Sequence, residues 1–135
     1  MQSWIRKFRL KESYQLRIIL ADHHVQPLWA LGQLVQEQVG FALVGEATDA
    51  QGLLALAEGN TPDLVLMDCD LPGFSIEELI ARLHALIPRP VVMVMCSKFE
   101  YECTMLKAGA DDYVSKSDQP DWLLDKLNRY ALDSK

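Results

Sequence analysis

Five short apolar runs recur along the chain: RIILA at 17–21, FALVGE at 41–46, DLVLM at 63–67, PVVMVMC at 90–96 and DYVS at 112–115. The segments between them repeat apolar residues every three or four positions, the spacing that gathers side chains on one helical face. Leu28, Leu31, Leu34 and Val35 do so in the first segment, where Pro27 suits a first turn that needs no N–H. Ile76, Leu79, Ile80, Leu83 and Ile87 form the stripe of the third, with Ser75 and Glu78 as an S-x-x-E capping box and Pro88 as its end. In the fourth, Tyr101, Met105 and Leu106 are expected to face inward, and Gly109 stands where a helix C-terminus favours a left-handed residue. The last carries Trp122, Leu123, Leu127 and Tyr130. Central strands that are apolar throughout must be covered on both faces, which implies a parallel sheet. Right-handed crossovers then give an α/β fold with a single doubly wound sheet of five strands.

A chain of 135 residues suits one domain with a substantial core. The net charge of −6 excludes a broad basic footprint for direct nucleic-acid binding. No apolar run approaches the roughly 18–20 residues of a membrane span, and the N-terminus lacks the pattern of a secretory signal. Cysteines at 69, 96 and 103 are odd in number and without CxxC spacing, which favours reduced thiols and a cytoplasmic location. Cys69 and Cys96, at the ends of apolar runs, read as small buried hydrophobes. The first sixteen residues differ from the rest, with Arg6, Lys7, Arg9 and Lys11 interleaved with Trp4, Ile5, Phe8 and Leu10. They are taken as a leader (1–16) packed on the main domain (17–132), with a docking amphipathic helix as the alternative. Residues 133–135 are a tail.

In open parallel sheets, ligands bind beyond the C-terminal strand ends. That rule selects Asp22, His23 and His24 after the first strand, and Asp68, Cys69 and Asp70 after the third. It also selects Met95, Cys96 and Ser97 after the fourth, and Lys116 and Ser117 after the fifth. A carboxylate at the position of Asp68 can ligate a metal or attack phosphorus. Lys116 supplies the fixed cation that a developing phosphoryl charge requires, and Asp22 is a second acid. Singly, each has an ordinary reading as a helix cap or a solvated charge. Three converging on one edge make a site. A small hydrolase with Asp68 as nucleophile is the weakest alternative, because the chain has no cap insertion to enclose a substrate.

The stretches LVGEATD, PDLVLMD with LPG, and KAGADDYVSK resemble the signatures of bacterial response-regulator receiver domains, in the branch usually joined to helix-turn-helix outputs. The resemblance covers about residues 16 to 132. It implies a flavodoxin-like sheet of order 2-1-3-4-5 and phosphoryl transfer from a histidine kinase, dependent on Mg2+. It assigns the phosphoacceptor to Asp68, the phosphate-pairing lysine to Lys116 and the aromatic switch to Tyr113. Asp22 matches an acid that helps hold the metal, and Asp70 a position ligating it through a backbone carbonyl. The implied partners are a histidine kinase or phosphotransfer protein and a downstream output, with a homodimer possible through the face at about 98–131. No DNA-binding segment follows residue 132, so the output is expected outside this sequence.

Departures from the pattern concentrate in the site. His23 stands where receivers keep the acid that ligates the metal directly, and Mg2+ accepts nitrogen poorly. Mg2+ binding is therefore expected to be weak or absent. The switch hydroxyl falls on Met95, followed by Cys96, or on Ser97 if the alignment slips; a methionine offers no donor. Imidazoles suit transition ions, but neighbours along a strand point to opposite faces, so His23 and His24 meet one ion only where the chain turns. The spacing matches no zinc pattern. His23 is thus read as bonded to Asp68 or Asp22, His24 as ordinary for the branch, and His84 as a surface residue. Two functions follow: a phosphoacceptor receiver that changes partner affinity and is no enzyme beyond its own turnover, or a pseudo-receiver acting by protein binding alone.

Overall fold

The computed structural model describes residues 15–117 and 120–133. Strands β1 (Leu16–Ala21), β2 (Phe41–Ala47), β3 (Leu64–Asp68), β4 (Val91–Cys96) and β5 (Asp112–Ser115) pair in parallel in the order 2-1-3-4-5. Between and after them run α1 (Val25–Gln36), α2 (Ala50–Asn60), α3 (Ile76–His84), α4 (Glu102–Lys107) and α5 (Pro120–Asp133), with a 3-10 turn at Phe99–Tyr101 before α4. The sheet and its order match the sequence expectation. The leader expected at 1–16 lies outside the described residues except for its last two, and Leu16 is already the buried first residue of β1.

Successive strand residues face opposite sides, so the sheet splits the core in two. Ile19, Ala21, Val65, Met67, Val92 and Val94 pack with α2 and α3 on one face. Ile18, Leu20, Leu64, Leu66, Met93 and Val114 pack with Leu28 and Val35 of α1 and Leu123 and Leu127 of α5 on the other. Because both faces are covered, the strand runs are continuously apolar instead of alternating.

The helices depart from the sequence reading at their ends. Ser75 caps α3 by accepting the Glu78 N–H at 3.2 Å, and the Glu78 carboxylate pairs with Arg82 one turn on. The helix stops at His84, before the stripe reaches Ile87 or Pro88. Leu86 packs inward there, and Ile87 is 95% exposed. Of the trio expected to face inward in this segment only Met105 of α4 packs on the core; Tyr101, at the end of the 3-10 turn, and Leu106 are exposed. A helix of six residues has fewer than two turns, and this one packs on the edge strand β5, so one narrow line of it is covered. Trp122 is 64% exposed, outside the inward face of α5.

His84, expected at the surface, is half-buried and has fixed partners. Its Nε2 lies 2.8 Å from Asp111 Oδ2, an oxygen that also accepts the Val92 N–H, while Arg89 holds the other oxygen at 3.1 Å. The cluster fastens the end of α3 to the β4–β5 edge. Gly109, between α4 and β5, has φ +116°, and a Cβ there would stand 3.2 Å from Ile80 Cγ2.

On the same edge Asp112 receives Lys126 Nζ at 3.0 Å and the Tyr130 hydroxyl at 2.9 Å, docking α5 on β5. Burial alone would raise the Asp112 carboxyl, but the Tyr113 N–H, Lys126 and Tyr130 outweigh it and hold it below its ordinary 3.8. A carboxyl lowered on folding stabilises the fold above its unfolded value and loses that contribution as pH falls through the folded one. Asp112→Asn is therefore expected to be destabilising near neutrality, with its deficit shrinking below about pH 4 in denaturant titrations. Gly109→Ala is expected to cost at least about 1 kcal/mol, from its positive φ and the Ile80 contact. Gly59→Ala, within α2 and with open space around its Cβ position, is expected to gain up to about 1 kcal/mol by thermal or chemical melts.

Candidate functional site

β1 and β3 are neighbours, so Asp22, immediately after β1, and Asp68, the last residue of β3, come together at the C-terminal edge. Lys116, just past β5, is anchored by its backbone N–H to the Cys96 carbonyl at 2.7 Å. Its side chain reaches past the end of β4 to both acids: Nζ lies 2.9 Å from Asp22 Oδ2 and 3.2 Å from Asp68 Oδ1. The two carboxylate side chains are 0% and 5% exposed. One ammonium thus compensates two buried acids, which would otherwise repel each other in a medium of low dielectric.

The titration shifts agree with this geometry. Burial would raise Asp22, but the His24 backbone N–H and Lys116 hold it below the usual carboxylate range. Burial would lower Lys116, and Asp22 with Asp68 pushes it above its ordinary value instead.

The histidines complete the cluster. His24 donates its backbone N–H to Asp22 Oδ1 at 2.9 Å and places Nδ1 3.2 Å from the same oxygen. His23 Nδ1 lies 3.6 Å from Asp68 Oδ2. Each carboxylate therefore gives one oxygen to Lys116 and turns the other toward a histidine. The sequence reading placed His23 against one of the acids, which it is; it left His24 without a role, and His24 holds Asp22. Asp70 is exposed in the turn that follows Asp68.

Two carboxylates and two imidazoles fit Mg2+ poorly. That ion wants near-octahedral oxygen, and here half of the carboxylate oxygens face an ammonium while nitrogens flank the rest.

The residues named for the switch separate onto two faces. Asp68 is registered with Met95, and Met95 with Val114. Met95 joins the α1–α5 core and lines a cleft of about 340 Å³ with Leu31, Leu34, Asp22, Lys116 and Leu123. Cys96 points the other way, where its free thiol is in hydrogen-bond contact with the Cys69 thiol and the Tyr113 hydroxyl. Burial raises both thiols, Cys96 more strongly, and it raises the Tyr113 phenol as well. Tyr113 is buried, with its hydroxyl donating to the Lys98 carbonyl. Ser97 is exposed beyond the strand end. Cys69 is half-buried and so is less enclosed than the sequence suggested. The thiol contact was not drawn from the sequence, although the strand-three to strand-four register would have revealed it.

Residues 18–128 match the family model of the response regulator receiver domain. The chain is 34% identical over 116 residues to the nitrate/nitrite response regulator protein NarL of Escherichia coli, covering 84% of this chain and 54% of that protein. It spans about half the length of the curated relatives it matches first. A LuxR-family two-component response regulator from an Aurantimonas species superposes with a TM-score of 0.78 at 27% identity, covering 88% of this chain and 86% of that one. The CheY-like receiver domain protein of Methanospirillum hungatei does so with a TM-score of 0.74 at 27% identity, covering 90% and 96%. The parallel sheet of order 2-1-3-4-5, the acids of β1 and β3 under one lysine and the match along nearly the whole domain lead to one assignment: the chain belongs to the response regulator receiver domain family.

Proposed function

We propose that Asp68 accepts a phosphoryl group from a phosphohistidine on a kinase or phosphotransfer protein, and that the product changes the affinity of this domain for an output partner. The observation that supports the reading is the Lys116 ammonium, held 3.2 Å from Asp68 Oδ1 by a backbone anchor on β4. Asp68 Oδ2, the oxygen away from Lys116, attacks phosphorus. The P–N bond of the donor breaks with its electron pair going to the imidazole, and an acyl phosphate results. Lys116 offsets charge on the transferred group, a fixed cation in a site it already occupies. Hydrolysis reverses the state: water attacks phosphorus, the Asp68 carboxylate departs, and a proton passes to solvent. No step is assigned to Mg2+, because the donor set suits it poorly.

In this reading the domain is a cytoplasmic signalling module with no substrate turnover beyond its own acyl phosphate. Its partner surface is the α4–β5–α5 face, where Tyr101, Leu106 and Trp122 stand exposed; a second copy or an output domain would bind there. Two observations favour the alternative of binding without phosphorylation. Histidines flank the carboxylate oxygens that Lys116 leaves, and Met95 brings no hydroxyl to the phosphoryl position.

Intact mass measured after incubation with acetyl phosphate separates the two. A phosphoryl adduct that Asp68→Ala abolishes supports phosphoacceptance, and its yield is expected to change little when Mg2+ is added. No adduct with either Mg2+ or Mn2+ leaves the binding-only reading. His23→Asp restores an oxygen donor and is expected to raise Mg2+ affinity at least about tenfold, read by calorimetry.

A further inference from the structure

We propose that Asp22, His23, His24 and Asp68 form a binding site for one divalent transition ion of the zinc class, in place of magnesium. Each of the four offers one ligand atom, and these atoms all lie within 4.8 Å of one another. Adjacent histidines in a strand would diverge, but β1 ends at Ala21 and the chain bends through His23 and His24. Their rings consequently lie side by side, with centroids 3.8 Å apart. His24 occupies the N-cap position of α1 yet makes no side-chain cap bond; its ring turns to Asp22 instead.

The distances suit a small tetrahedral ion. Bonds of about 2.0–2.1 Å to nitrogen and oxygen give a tetrahedron with edges of about 3.3–3.4 Å. The His24–Asp22 and His23–Asp68 separations are 3.2 Å and 3.6 Å. The remaining separations are at most 4.8 Å, and they close by rotation of the imidazoles, which are 57% and 37% exposed, with a small approach of the two carboxylates.

Lys116 does not occupy this set. It sits on Asp22 Oδ2 and Asp68 Oδ1, whereas the histidines approach Asp22 Oδ1 and Asp68 Oδ2. Both carboxylates are therefore already oriented, and the His24 backbone N–H holds the Asp22 donor oxygen from behind, the outer-sphere support that metal ligands ordinarily have. Imidazole with carboxylate selects zinc, copper, nickel or cobalt over magnesium. The site opens to solvent on its histidine side, so an ion enters without unfolding the edge. Phosphoryl transfer is not required by this inference, which concerns binding alone.

Calorimetry of the full chain with ZnCl2 and with MgCl2, alongside visible spectra with CoCl2, tests it. The expected result is one equivalent of Zn2+ bound at least about 100-fold more tightly than Mg2+, and an intense tetrahedral Co2+ band. His23→Ala and His24→Ala are each expected to weaken Zn2+ at least about tenfold. Circular dichroism checks that both remain folded, and both side chains are accessible enough to be removed without opening the core. His84→Ala and Cys103→Ser, at the other histidine and the exposed thiol, leave binding unchanged. His23→Asp lowers the preference for Zn2+ over Mg2+. Equal or tighter Mg2+ binding by the wild type, absence of Zn2+ binding, or Zn2+ binding that survives loss of both His23 and His24 overturns the proposal. A missing phosphoryl adduct would leave all these measurements intact, so the two readings fail separately.

Discussion

The site depends on one ammonium between two buried carboxylates. Without Lys116, Asp22 and Asp68 would face each other across adjacent strand ends with little water to screen them. With it, three strands that are distant in sequence share one electrostatic centre, and the topology explains why. The sheet order sets β1 beside β3, and a long flexible side chain from β5 spans the end of β4. Shorter cations could not bridge that width. Each acid is then left with one oxygen for other work, and the two histidines turn toward those oxygens.

The sheet also divides labour between its faces. Asp68 and Met95 share a register position, and the residues after them, Cys69 and Cys96, turn to the opposite side. Charge chemistry thus sits with the α1–α5 face, and the thiol–phenol chain of Cys69, Cys96 and Tyr113 sits with the α2–α4 face. A single peptide step at the end of β3 connects them. Any motion of the Asp68 backbone is felt on both sides of the sheet.

Most of this architecture was legible in the chain. Apolar runs buried on both faces leave a strong local signal, and the strand bounds followed it within a residue or so. Asp22, Asp68 and Lys116 were found by a topological rule because each ends a strand. Pairings that depend on tertiary placement were not legible. His84 looked like a polar residue on an amphipathic helix until Asp111 and Arg89 came beside it. Ile87 fitted the period of α3, but periodicity says nothing of where a helix stops. Strand geometry alone would send the histidines that follow β1 to opposite faces, whereas the bend that makes them converge begins past the strand end.

The backbone of Tyr113 is held from two directions. Its N–H donates to Asp112 Oδ1 at 2.8 Å, and its carbonyl accepts Lys126 Nζ from α5 at 2.6 Å. Only the Lys126 bond ties this peptide to another element, because Asp112 belongs to the same strand; the ring itself can rearrange by rotation about its own side-chain bonds. Such a rotation would empty a volume lined by Cys96 and strip the Lys98 carbonyl of its donor. The Tyr113 ring therefore links the edge strand to the peptide at Lys98, which lies between β4 and α4.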